Sequence, residues 1–185
     1  MGKDARKPQG RGPAKFGRVL ICATGAGILA GATTDANGAP VKTYVKDLIR
    51  VGDWVMPSTG DEFTVTAADL DNWVAQFDRM AENGVKVHVP SGHTNEADAN
   101  RGYVVGMFRD GDVLYGRIEL IGEDAIAMAS RTEVSIYVPP VLKDGKGNEY
   151  KNPIEHVALT PIPVVSGQDG FVPIAASRGG QTHQI

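Results

Sequence analysis

One stretch of this chain carries a helical period, and most of the chain beyond it alternates with period two. Leu70, Trp73, Val74, Phe77 and Met80 recur at steps of three and four residues, which places them on one face of a helix. Such a face needs a core to cover it, so residues 67–83 are expected to form an amphipathic helix packed against the rest of the domain. Both ends are marked: Thr66 with Asp69 resembles a capping box in which Asp replaces the usual Glu, and Gly84 sits where a left-handed residue closes a helix.

Beyond Gly84 the pattern is that of strands. Residues 85–90, 103–109 and 113–120 alternate, and the turn Asp110, Gly111, Asp112 makes the latter two a hairpin. Residues 122–130 read as a short helix and 132–138 as another strand. The Gly- and Lys-containing loop 143–148 is expected to join that strand to a last one at 154–160, pairing with it antiparallel. Upstream, 41–51 reads as a strand, Trp54 and Phe63 flank the turn signal PSTG at 57–60, and the apolar segment 19–32, a candidate strand start, runs into the turn-rich residues 33–40. There is no internal repeat and no alternation of strand with helix. The expected fold class is therefore α+β or mainly β, an antiparallel β-barrel or rolled sheet flanked by helices.

Residues 1–17 combine Gly, Pro and basic side chains without an apolar period, the composition of a disordered basic arm. That leaves residues 18–175 as a single domain and 176–185 as a flexible C-terminal tail. With 185 residues one sizeable core is within reach. A net charge of −3 creates no field of one sign to attract nucleic acid or an anionic membrane, so neither is an expected partner. The basic arm ahead of residues 19–30 has the order of a secretory signal, but that apolar stretch is interrupted by Gly and Thr and falls short of the ~20 residues a membrane span needs. Cys22, the single cysteine, has no partner for an intrachain disulfide and lies in the apolar run RVLICA, where packing is the expected role. No cofactor is implied.

A peptide hydrolase that uses a hydroxyl needs a Ser, a base in hydrogen-bond reach, a group to orient the base and donors for the oxyanion. Four histidines could supply the base. His183 lies in the polar tail, and His88 sits between Val87 and Val89 in a strand, the place of a structural histidine with its hydrogen bonds satisfied. His93 follows Pro90, Ser91 and Gly92 in a loop just past a strand end, where scaffolds present functional side chains. His156 shares a strand face with Ile154 and Ala158, which locally favours packing. In the strand 132–138, Val134, Ile136 and Val138 form an apolar face, and Ser135 points the other way beside Glu133 and Tyr137, on what is locally no more than a solvated strip. A metal site built from His88, His93 and Glu96 or Asp98 is a rival reading, although that spacing is no established ligand motif.

Four stretches, taken in order and with their spacing, carry a resemblance: RVGDW (50–54) with the helix LDNWVAQF (70–77); VHVPSGHT (87–94) leading into RGYVVG (101–106); EVSIY (133–137); and IEHVALTP (154–161) ending in PVV (163–165). Across most of residues 41–175 the chain resembles the phage prohead protease family, its Mu-like branch above all, and more distantly the herpesvirus assemblin protease. The resemblance implies a herpesvirus-protease-like fold and a serine endopeptidase, with His93 as the base and Ser135 as the nucleophile. Assemblins add a second His after the Ser, a position matched by His156, whereas other prohead proteases use an acid there, which leaves Glu155 and Glu133 open. Assemblins also carry arginines near the oxyanion hole after that third residue. This chain has no arginine between His156 and Arg178, so its oxyanion donors stay unassigned.

The implied substrates are the scaffolding protein, the major capsid protein and the protease itself, processed inside the assembling prohead in the host cytoplasm. Assemblins act as dimers, so a homodimer is implied too. Family members are often fused to a C-terminal scaffold segment; here the expectation is a separate scaffold or a product already cleaved, with a cleavage site near Ala175, Ala176 and Ser177. The alternative is a catalytically inactive capsid-assembly or scaffold component that retains the fold.

Overall fold

The computed structural model describes residues 33–174. The expectations for the basic arm, residues 19–32, Cys22, His183 and residues 175–177 lie outside the described residues. Within them the chain forms β1 (Thr33–Thr34), β2 (Pro40–Arg50), β3 (Gly52–Val55), β4 (Glu62–Val65), α1 (Ala67–Glu82), β5 (Val87–Pro90), β6 (Asn100–Asp110), β7 (Val113–Ile121), α2 (Glu123–Met128), β8 (Glu133–Tyr137), β9 (Val141–Lys143), β10 (Glu149–Lys151), β11 (His156–Thr160) and β12 (Val172–Pro173). Among the described residues no helix is long and apolar enough to cross a membrane.

The expected helix is present, with the expected ends. Thr66 Oγ1 accepts from the Asp69 N–H and Asp69 Oδ2 accepts from the Thr66 N–H, completing the capping box. At the other end Gly84 has φ +81°, and the Gly84 and Val85 N–H groups donate to the carbonyls of Ala81 and Met80. Leu70, Trp73, Phe77 and Met80 are buried against strand residues that include Val87, Val104, Leu114 and Leu159. Each such side chain contributes about 1.5–3 kcal/mol of hydrophobic stabilisation.

The fold is mainly β. Its main sheet runs β1-β2-β7-β6-β5-β11-β8, with β12 paired to β2. The sheet is mixed rather than antiparallel throughout, because β11 inserts between β5 and β8 and lies parallel to β5, with His156 opposite His88. The expected antiparallel pairing of residues 132–138 with 154–160 is present as β8 with β11. The loop between them is itself a hairpin, β9 with β10, braced by Asp144, whose Oδ1 accepts from the N–H groups of Lys146 and Asn148 and whose Oδ2 accepts from the buried Tyr150 hydroxyl. Nor is 154–160 the last strand, since β12 comes after it.

The sheet does not close into a barrel: no ladder joins β2 to β8. Side chains bridge the gap instead. Lys46 on β2 pairs with Glu133 on β8 at 2.9 Å. The Gln168 carboxamide accepts from the Val134 N–H (3.0 Å) and donates to the carbonyls of Val134 (2.9 Å) and Leu48 (3.2 Å), standing in for a strand at the free edge of β8.

Candidate active site

Ladder register determines which side chains meet. Ala158 lies opposite Ser135 and His156 opposite Tyr137 across β8 and β11, while His88 lies opposite His156 across β5 and β11. Paired residues share a side of the sheet and so do residues two apart. Ser135, Tyr137, His156 and His88 therefore occupy one face, and Val134, Val157 and Leu159 point into the core from the other. Ser135 points away from the apolar face as the alternation indicates, yet it is buried at 5 % exposure rather than solvated, and His156 is buried as well.

His93 reaches the same face because the chain runs on past β5 alongside β11. Ser91 bridges to Leu159, and the Gly92 N–H donates to the Leu159 carbonyl at 3.0 Å. Gly92 then turns the backbone with φ +80°, a conformation that any Cβ disfavours. His93 Nδ1 comes to 3.0 Å from His156 Nε2. Tyr137 stacks on the His156 ring with centroids 5.0 Å apart and planes 16° apart.

The two carboxylates open for the third position are engaged elsewhere. Glu155 accepts from Asn95 Nδ2 at 2.9 Å, which ties the His93 loop to the start of β11, and Glu133 pairs with Lys46. His156 is the residue brought against His93. The Ser135 hydroxyl makes no hydrogen bond with either imidazole. It lines a cavity of about 340 Å³ walled by Met56, Phe63, Trp73, Val138 and Val165 among others. Among the described residues no group of three or more His, Cys, Asp or Glu is placed to hold a metal ion. His88 and His93 meet at His156, with ring centroids 5.3 Å and 5.2 Å from it, and not at Glu96 or Asp98.

Burial sets the protonation state. It pushes the His156 imidazole down to about 4, with the neighbouring His93 and His88 rings adding to the effect, and it lowers His93 as well. Both rings are neutral at pH 7. Of two neutral imidazole nitrogens 3.0 Å apart, one carries the proton and the other accepts it.

One member of this cluster departs from the expectation set by its sequence neighbours. His88 is not a satisfied structural histidine: its Nε2 is buried without a hydrogen-bond partner, and so is Nδ1 of His156. Alternation places His88 on the face away from Val87 and Val89, but it carries no information about which strand will lie alongside. The Lys46 and Gln168 bridges that steady β8 left no sequence signal either. No known family model matches this chain, and neither a curated protein nor a solved structure matches it.

Proposed function

We propose that this chain is a serine endopeptidase that processes scaffold and capsid precursor proteins, and itself, during phage prohead maturation. The observation that carries the reading is the 3.0 Å contact between His93 Nδ1 and His156 Nε2 on the face of the sheet that also bears Ser135. If His93 donates from Nδ1 to His156, its Nε2 is left bare and basic. That nitrogen takes the Ser135 proton as the hydroxyl attacks the scissile carbonyl, then returns it to the leaving amine, and water afterwards hydrolyses the acyl-enzyme. Hydrogen bonds between nucleophile and base are often open in free enzymes and close around the substrate. His156 orients His93 and shares the positive charge of the transient imidazolium. A neutral ring stabilises that charge less than a carboxylate would, which suits a slow enzyme concentrated with its substrates. The apolar cavity beside Ser135 offers room for an apolar substrate side chain.

The test is to incubate the purified protein with its scaffolding protein and major capsid protein precursor, beside a Ser135→Ala variant. Processing by the parent and none by the variant supports the reading; equal processing by both would refute it. The absence of a Ser135–His93 hydrogen bond favours a second reading, an inactive capsid-assembly component that keeps the fold. That reading predicts no cleavage by either protein.

A further inference from the structure

Two buried ring nitrogens on neighbouring strands lack partners, Nε2 of His88 and Nδ1 of His156. A buried polar atom left without a partner is costly, so two side by side call for an explanation. Their rings sit 5.3 Å apart between centroids, almost the 5.2 Å of the hydrogen-bonded His93–His156 pair, a separation at which two imidazole nitrogens can share a proton. We propose that His88 is a positioning residue that sets the tautomer of His156, and through it that of His93, by accepting the His156 Nδ1 proton on its own Nε2.

The chemistry runs from the nucleophile inward, and in that respect the inference rests on the protease reading. For His93 Nε2 to receive the Ser135 proton, His93 must carry its hydrogen on Nδ1. His156 Nε2 must then be the acceptor, so the His156 hydrogen is on Nδ1, where His88 is the neighbouring ring with a free acceptor. His88 in turn holds its hydrogen on Nδ1. Each ring therefore donates from Nδ1 and accepts at Nε2, and the order is broken if any ring turns over. The groups facing His156 are His93 from the loop, His88 from β5 and Tyr137 from β8, and opposite His88 on β6 stands Tyr103, over whose ring lies Lys86. Among the described residues no carboxylate hydrogen-bonds any of the three imidazoles, so the tautomers are decided among the rings themselves.

Nitrogen-15 NMR of the labelled Ser135→Ala chain at neutral pH reads the tautomer of each ring. His156 is expected to be protonated on Nδ1 in this parent and in a His88→Gln variant, whose side-chain oxygen can accept near the position of Nε2. In His88→Phe, which cannot accept, His156 should move to the Nε2-protonated form and His93 should change with it. With Ser135 restored, His88→Phe should lower kcat at least about tenfold with KM little changed, and His88→Gln should recover most of it. A parent in which His156 is protonated on Nε2 overturns the proposal whether or not any variant folds. So does a His88→Phe chain with the parent's tautomers and kcat. Ordered tautomers in a chain that cleaves nothing would leave His88 its structural assignment and sink the protease reading alone.

Discussion

Replacing Lys46 with Met removes the cation that ties β2 to the edge strand carrying Ser135. Lys46 is 1 % exposed; its ammonium group lies 2.8 Å from Asp47 and 2.9 Å from Glu133, and it donates to the Asp169 carbonyl. Asp47 is equally enclosed at 3 % and keeps one other cation, Arg50, at 3.0 Å. Glu133, with its side chain 38 % exposed, can turn to water. Removing one partner of a buried pair costs about 3–5 kcal/mol, and because Arg50 stays on Asp47 the expected loss is at the low end, about 3 kcal/mol. Glu133→Gln should cost less than Lys46→Met, because the Glu133 side chain is 38 % exposed and Lys46 keeps Asp47. Lys46→Met combined with Asp47→Leu should recover much of the loss, since an apolar pair of similar volume often replaces a buried ion pair without penalty. Urea denaturation monitored by circular dichroism measures all four proteins. Hydrogen exchange should show residues 133–137 opening more readily in Lys46→Met. A loss below about 1 kcal/mol for Lys46→Met, or one no larger than that of Glu133→Gln, would refute the account of Lys46 as a buried cation on which Asp47 depends.

Four further outcomes rest on individual residues. Gly92→Ala meets nothing within 4 Å of its new Cβ, so its cost is that of the backbone at φ +80° alone, about 1–2 kcal/mol, and it should reduce kcat by displacing His93; a change in stability without one in activity would contradict the loop's role. Gly102→Ala would drive its Cβ into the Glu119 carbonyl oxygen across the β6–β7 ladder, and thermal melting should show a loss of at least about 1–3 kcal/mol, a neutral result disproving the close approach. The buried His156 makes stability depend on pH. His156 titrates near 4 in the folded chain and near 6.5 when unfolded, so between those values the unfolded state binds more protons and stability declines as pH falls. His156→Gln should flatten that decline. If His93 is the base, the acidic limb of kcat/KM should lie below pH 6.5, because burial lowers His93 and the base must be neutral.

The helix α1 was legible to within a residue, because its apolar stripe, its Thr66–Asp69 box and Gly84 are local signals that all agree. Strands β2, β6, β7, β8 and β11 were legible for the same reason. The pairing of β11 with β5 was not, since a parallel neighbour arises from the path of the chain through space and leaves no trace in alternation. The small hairpin of β9 and β10 was hidden inside a segment whose Gly and Asp residues read as loop. At the site, the direction of Ser135 could be read from Val134 and Ile136, but its burial could not, because the cover comes from elements distant in sequence. Which residue lies against His93 could not be read either: in space it is His156, while Glu155 and Glu133 touch Asn95 and Lys46 respectively. The unpartnered ring of His88 was not legible, because a histidine between two valines looks the same whether or not its ring finds a partner.

A fluorophosphonate probe bonds to a serine oxygen, expelling fluoride, when a neighbouring base takes the hydroxyl proton. Treating the full chain with such a probe and mapping the adduct by mass spectrometry should place it on Ser135, with His93→Ala abolishing it and His156→Gln slowing it. An unlabelled chain, or an adduct that forms at the same rate without His93, would contradict the pairing of Ser135 with its base.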